Sequence, residues 1–307
     1  MKYILISVVT VLLGLSGNSL ATEISIGTGG KKGTYYVHGE ILCKAVERSS
    51  SLDCERVSTK GYRQNLIDIE NGKLDLIFIP SHGLHDEKPH PSMRYVLSLN
   101  PEAITILVKP GYGIDSFANL KGKHIAILGN RSNYYLKQLV LGLGWSKPQY
   151  SHWEILSYEF PVENFCNGKS IALVLITGHP SGHTDKTISK CGAKILNLDA
   201  RNVRSFVESK KLPYFSMVEI PDIYWLRSNV STVGLPTTIV SRTQVPKEVI
   251  SSFVKALFEN IERLRKSHPA FSQLDRNEMS GDGRALPYHP GAIEYYQSVG
   301  LRLDEKE

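Results

Sequence analysis

Four glycines, Gly27, Gly29, Gly30 and Gly33, sit in the run Gly-Thr-Gly-Gly-Lys-Lys-Gly-Thr-Tyr-Tyr from Gly27 to Tyr36, and this stretch is the one best suited to chemistry. Ile24 and Ile26 before it flank a small polar residue, as in a short strand. After it, Ile41, Leu42, Ala45 and Val46 fall on one face of a helix. A glycine loop between strand and helix lets the bare backbone approach a ligand, and the helix start adds unpaired N–H groups at a positive dipole end. Such a loop suits a carboxylate or a phosphate, although a glycine-rich turn without a ligand has the same spacing. A dinucleotide fingerprint fits poorly, because its third glycine would fall at position 32, which is Lys32.

A second junction of the same type is expected at Gly129-Asn130-Arg131-Ser132-Asn133-Tyr134, between an apolar strand and a helix carrying Tyr135, Leu136, Leu139, Val140 and Leu143. Arg131 is the fixed cation there and can grip a carboxylate with two parallel bonds; an Arg131 facing solvent is the alternative. The hydroxyl of Ser132 and the amide of Asn133 can hold the same ligand or cap the helix. Ser81 follows a third apolar strand at its carboxyl end, where open parallel sheets bind ligands. His82, His85 and His90 share an acidic, proline-bearing segment whose spacing fixes no metal geometry, so a solvated loop is expected there, with no metal. His179 and His183 are four apart, but Pro180 and Gly182 argue against a helix joining them. The sequence has no G-x-S-x-G and no H-E-x-x-H. It calls for no catalytic residue and no cofactor, and an enzyme is not expected.

The elements that must position these residues read as α/β. Strands at Asp53–Val57 and Leu74–Pro80 alternate with a helix bearing Tyr62, Leu66 and Ile69 and ended by Asn71-Gly72. That alternation makes a doubly wound lobe. A long strand-rich segment, Tyr95–Pro110, leads to a second lobe with strands at Ile125–Leu128, Ile171–Thr177 and Lys194–Leu198. Thr232–Ser241 reads as a strand returning to the first lobe. From Pro246 a long amphipathic helix carries Val249, Ile250, Phe253, Val254, Leu257, Phe258 and Ile261 on its buried face. No internal repeat is visible. The expected division is 1–21 as a leader, 22–108 with 231–307 as one lobe, and 109–230 as the other, with both loops at one cleft.

Met1 to Ala21 has the form of a secretory signal peptide: Lys2, then the apolar Ile4–Leu15, then Ser19-Leu20-Ala21. The expected mature chain of 286 residues (307 − 21) carries a formal charge of +5, the +6 of the whole less Lys2. Its basic residues are scattered among acids with no basic block between aromatics, which argues against nucleic acid. Cys43, Cys54, Cys166 and Cys191 allow three pairings in an oxidising compartment. Cys43–Cys54 and Cys166–Cys191 are expected, because each pair is close in sequence and lies within one lobe. A periplasmic monomer is the expectation.

Three stretches resemble the TAXI family of extracytoplasmic solute receptors that serve TRAP transporters. Ile26-Gly27-Thr28-Gly29-Gly30 with Gly33-Thr34-Tyr35-Tyr36 is similar to that family's opening motif. Asn65-Leu66, Gly72, Asp75-Leu76 and Phe78 are similar to its second helix and third strand. Leu286-Pro287-Tyr288-His289-Pro290-Gly291-Ala292-Ile293-Glu294-Tyr295-Tyr296 with Gly300 is similar to its terminal motif. The resemblance implies a type II periplasmic-binding-protein fold, two lobes joined by a hinge, with no catalysis. It implies hinge closure around a small acidic metabolite such as glutamate or 2-oxoglutarate, handed to the membrane subunits of a TRAP permease. Thr28, Gly30, Thr34 and Tyr35 match the family's first ligand loop, and Asn65 matches the polar residue after the second strand. Asn130-Arg131-Ser132-Asn133 departs from the family's G-S-G-T-like run, and Tyr62 stands where a small serine is usual, so the ligand should be smaller or shifted. A sensing or surface-interaction role would use the same cleft, and a secreted hydrolase is the remaining alternative.

Overall fold

The computed structural model describes residues 22–31, 33–86, 91–157, 162–209, 211–224 and 228–303. The expected leader, and His90 of the histidine trio, lie outside them. The first half begins with three parallel strands, β1 (Thr22–Gly27), β2 (Leu52–Val57) and β3 (Leu76–Pro80), in the spatial order β2-β1-β3. Two helices connect them, α1 (Thr34–Ser49) and α2 (Tyr62–Glu70). Every residue of β3 is buried. Phe78 joins the core on one face of the sheet while Ile77 and Ile79 join the core on the other. That two-sided burial is why the strand reads as a nearly unbroken apolar run.

A short helix α3 (Gly83–Asp86) precedes the 16-residue strand β4 (Met93–Val108). The second half repeats the first arrangement. β5 (Ile125–Leu128), β6 (Trp153–Leu156) and β7 (Ala172–Thr177) are parallel in the order β6-β5-β7, connected by α4 (Gly129–Gly142) and α5 (Val162–Asn167). α6 (Gly182–Cys191), the two-residue β8 (Lys194–Ile195), α7 (Arg201–Glu208) and β9 (Ser216–Ile220) follow, then the long β10 (Val230–Arg242). The chain ends with α8 (Lys247–Glu259), α9 (Ile261–Ser267), α10 (Arg276–Gly281) and α11 (Pro290–Ser298) against the first half. The expected strand at Lys194–Leu198 is therefore only two residues long, and the helix after Pro246 breaks at Asn260.

β4 and β10 run antiparallel through both halves and make one ten-stranded sheet of them. β10 pairs with β3 through Thr237–Ser241 and with β9 through Val230–Gly234. β4 pairs with β7 from Ala103 onward. Asn100, Pro101 and Glu102 thus lie where the sheet passes from one half to the other. Two sets of three parallel strands, each continued by the same two crossing strands, form the type II binding-protein fold that the sequence leads one to expect.

Both expected disulfides are present. Cys43–Cys54 ties α1 to β2 with Cα atoms 5.0 Å apart, and Cys166–Cys191 ties α5 to α6 at 5.2 Å. The terminal motif is packing. His289 caps α11, its Nδ1 accepting from the Gly291 N–H at 3.1 Å. A Cβ on Gly291 would lie 2.1 Å from the Lys247 carbonyl, so only glycine lets α11 lie on α8. Tyr296 is fully buried and donates to the Val96 carbonyl at 2.6 Å. No helix among the described residues is long and apolar enough to cross a membrane.

Candidate functional site

The carboxyl ends of the parallel strands in both halves converge on the crossing of β4 and β10. This is the position at which open α/β sheets bind ligands. On the first-half side the glycine loop is held from beneath. The Thr28 hydroxyl donates to the Val57 carbonyl at 2.8 Å, and the Thr59 N–H donates to the Gly29 carbonyl at 3.2 Å. Asn65 is fully buried; its amide donates to the carbonyls of Gly27, Thr28 and Phe78, while its Oδ1 accepts from the Thr59 hydroxyl at 2.6 Å. It braces the loop from behind. Gly29 and Gly30 have nothing within 4 Å of where a Cβ would stand, and Gly30 is exposed backbone while Gly29 is buried. α1 follows with no side-chain cap and no acid in its first turn. Its first N–H groups keep their positive field toward the loop. Thr34, exposed in that turn, comes within 3.7 Å of the Cβ position of Gly178, just past β7 in the second half.

The opposite wall is α4, and here the expected loop is absent. The helix starts directly at Gly129 after Leu128, with no side-chain cap and no acid in its first turn. Arg131, Ser132 and Asn133 are therefore helical residues, and neither Ser132 nor Asn133 is the cap. Ser132 is fully buried and accepts the Ile176 N–H at 3.1 Å, which fastens α4 to β7. Asn133 is half-buried. The guanidinium of Arg131 is ion-paired with the carboxylate of Glu102 on β4, their side chains 33% and 16% exposed. Glu102 drew no notice in the sequence. It is the only acid in the run Met93–Val108, and that lone charge was the signal available.

Between the walls, Tyr35 stacks on Phe78 with centroids 5.1 Å apart. Its hydroxyl is buried beside Thr237, Glu102 and Arg131 and makes no hydrogen bond of good geometry. Burial first, and then the Glu102 charge, push its pKa well above the usual phenol range, with Arg131 opposing. Ser81, also fully buried, donates to the Tyr214 carbonyl at 3.2 Å and so joins the end of β3 to the second half. His82 corrects the sequence reading. It is not in a solvated loop but 1% exposed, its ring 4.4 Å from that of Tyr135 on α4 and 5.7 Å from that of Tyr62 on α2. Tyr62 adds its bulk to this interlobe stack, and its ring also lies 3.1 Å from the Cβ position of Gly83.

Two uncapped helix starts, one arginine and one glutamate, with hydroxyls between them, can hold a small charged ligand. His179 is buried, bonded to Thr105 and Tyr224, and burial pushes its pKa down to about 4, so it stays neutral. No helix joins it to His183, as the sequence indicates, since α6 begins only at Gly182; Gly182 itself, however, is helical and His183 lies in α6. Among the described residues no cluster of His, Cys, Asp and Glu has the arrangement of a metal site. A separate hollow of about 250 Å³ lies behind the crossing, lined by Asn100, Met217, Glu219 and Glu278 among others. It includes neither the glycine loop nor α4, and its carboxylates would repel the anion that the helix starts favour. The site is placed by the convergence of strand ends, not by that hollow.

Residues 26–300 match the NMT1-like family. The chain belongs to the NMT1-like family. Among solved structures, this NMT1-like chain is similar to the periplasmic aliphatic sulphonate binding protein SsuA from Escherichia coli, at 15% identity over 90% of this chain and 83% of that one, with a TM-score of 0.49. A probable amino-acid ABC transporter extracellular-binding protein from Bacillus subtilis is 16% identical over 79% of this chain and 94% of its own, with a TM-score of 0.48. A putative LysR family transcriptional regulator from Pseudomonas aeruginosa is 16% identical over 80% and 77%, with a TM-score of 0.49. All three likenesses are distant.

Proposed function

We propose that this NMT1-like chain is an extracytoplasmic solute receptor of the TAXI type. It binds a small carboxylate-bearing metabolite and hands it to a TRAP permease, without chemistry on the ligand. The observation that carries this reading is the Arg131–Glu102 ion pair beside the buried Tyr35 hydroxyl, which joins a cation of α4 and a residue of α1's first turn at the crossing strands, both helices starting without a side-chain cap. A carboxylate placed there meets backbone donors from both sides and a guanidinium. The two lobes, 22–108 with 231–307 and 109–230, close by bending at the crossing strands. Ligand contacts made only in the closed form shift the population toward it. Thr28, Gly30 and Thr34 offer the first-lobe side of the site, Tyr35 its floor, and Arg131 with Asn133 the second-lobe side. Asn65, Ser81 and Ser132 hold that geometry through their internal bonds. The two disulfides and the leader-like residues 1–21 support residence in the periplasm, with the leader removed after Ala21.

The test is a thermal-shift and calorimetric screen of the oxidised mature chain, unfolded and refolded to strip carried-over ligand. The panel is glutamate, glutamine, aspartate, alanine, 2-oxoglutarate and succinate, with phosphate as control. A ligand at 100 times its Kd stabilises by about 2.7 kcal/mol, a rise in Tm of roughly 5–10 °C for a chain of this size. At least one carboxylate is expected to give that rise, and Arg131→Ala to abolish it. No response to any carboxylate overturns the proposal.

A further inference from the structure

Resting on that reading, we infer that Glu102 makes the site select a zwitterion, a ligand carrying an ammonium beside its carboxylate, over a plain dicarboxylate. The cation that would grip a ligand carboxylate already has a carboxylate: Arg131 on α4 is paired with Glu102 on β4. Glu102 stands at the crossing itself, opposite Leu235 of β10 and one residue before β4 joins β7. It is mostly buried at 16% exposure, and the Tyr35 hydroxyl, buried in the same place, offers it no formal charge. A dianion that took Arg131 would leave the Glu102 carboxylate without its counter-ion in a partly desolvated place, beside the ligand's own negative charge. Leaving one member of such a pair uncompensated is strongly unfavourable. A zwitterion exchanges partner for partner. Its carboxylate takes the place of Glu102 on Arg131, its ammonium takes the place of Arg131 on Glu102, and no charge is left unpaired. The uncapped starts of α1 and α4 supply further donors to the same carboxylate, and the Tyr35 hydroxyl is a neutral partner for either group.

The experiment is calorimetry on the refolded mature chain with matched pairs that differ only at the amino carbon. L-glutamate is set against 2-oxoglutarate and L-alanine against pyruvate, with the N-acetyl form of each amino acid as a third arm. The expected result is that at least one amino acid binds about 100-fold more tightly than its 2-oxo partner and its N-acetyl form. Glu102→Gln should remove most of that preference, and Glu102→Asp, which keeps the charge, should retain it. Far-UV circular dichroism and Tm check that each variant is folded. The N-acetyl arm tests the same point on the unaltered protein should Glu102→Gln fail to fold. Equal or tighter binding of 2-oxoglutarate or pyruvate in the unaltered chain overturns the inference and leaves the receptor reading standing. Binding by neither series overturns the receptor reading as well.

Discussion

The two N–H groups of the Asn65 amide are shared among three backbone carbonyls and its Oδ1 accepts from Thr59, so both ends of the buried amide are satisfied. Its residue type and its place after the second strand were legible in the sequence, but its position behind the glycine loop was not. Which way its amide turns was not, because that depends on Thr28 and Phe78, brought near only by the sheet. His38 teaches the same at a position the sequence did not mark. It is 1% exposed on α1, its ring 4.5 Å from Phe271 and 5.2 Å from His268, and neither ring nitrogen has a partner. Burial first, and then the nearby His268, push its pKa down to about 3. The unfolded value is about 6.5, so between these limits the unfolded chain binds the extra proton and stability falls as pH falls. Above pH 6.5 this contribution is complete, and below about 3 it is gone. Tm measured from pH 7 to pH 4 should therefore drop, and His38→Leu should make the drop shallower, by up to about 1.4 kcal/mol per pH unit. His179, pushed down to about 4, contributes in the same direction and keeps some slope in the variant. An unchanged slope in His38→Leu would show that His38 is protonated in the fold or already exposed.

At the scale of elements, the period of the apolar residues gave α1, α2 and the strands through β3, since two-sided burial writes a continuous apolar run and helix faces write a 3.6 period. The start of α4 was misplaced because Gly129 and Asn130 look like loop residues. Nothing local reveals that a helix without a side-chain cap can begin at the last buried residue of β5. The closing helix broke at Asn260 for a similar reason: the apolar face continues through Ile261, so periodicity alone joins α8 to α9. The Cys43–Cys54 bridge, 11 residues apart in sequence, ties α1, which follows the glycine loop, to β2, which pairs with the strand before it. Replacing both cysteines with alanine should lower stability by about 2–3 kcal/mol and Tm by roughly 5–10 °C in oxidising buffer. Differential scanning calorimetry of the two proteins checks it. Addition of reductant should bring the parent toward the variant, and a variant that melts with the parent would place the bridge among bonds that matter little.

At the scale of the whole molecule, Ser81 and His82 from the first half meet Tyr214 and Tyr135 from the second, so the two halves touch through side chains as well as through β4 and β10. A compact chain of this length has a radius of gyration of about 19 Å. Small-angle scattering of ligand-free Tyr135→Ala should give a larger value than the parent, because the ring against His82 is lost, and saturating ligand should restore the compact form. An identical radius in parent and variant, with and without ligand, would count against bending at the crossing strands. The sequence by itself determined the α/β class, the glycine loop, the likeness to a family and the cysteine partners, because each is written in neighbouring residues or in a period along one chain. Only the tertiary structure decided that the chain repeats one strand order twice, since that repeat is spatial and leaves no repeat of residue types. It alone decided that Glu102 meets Arg131 and that His82 is buried between Tyr62 and Tyr135. Those contacts join residues that share no local pattern, and they exist only where the two crossing strands join the two sets of parallel strands into one sheet.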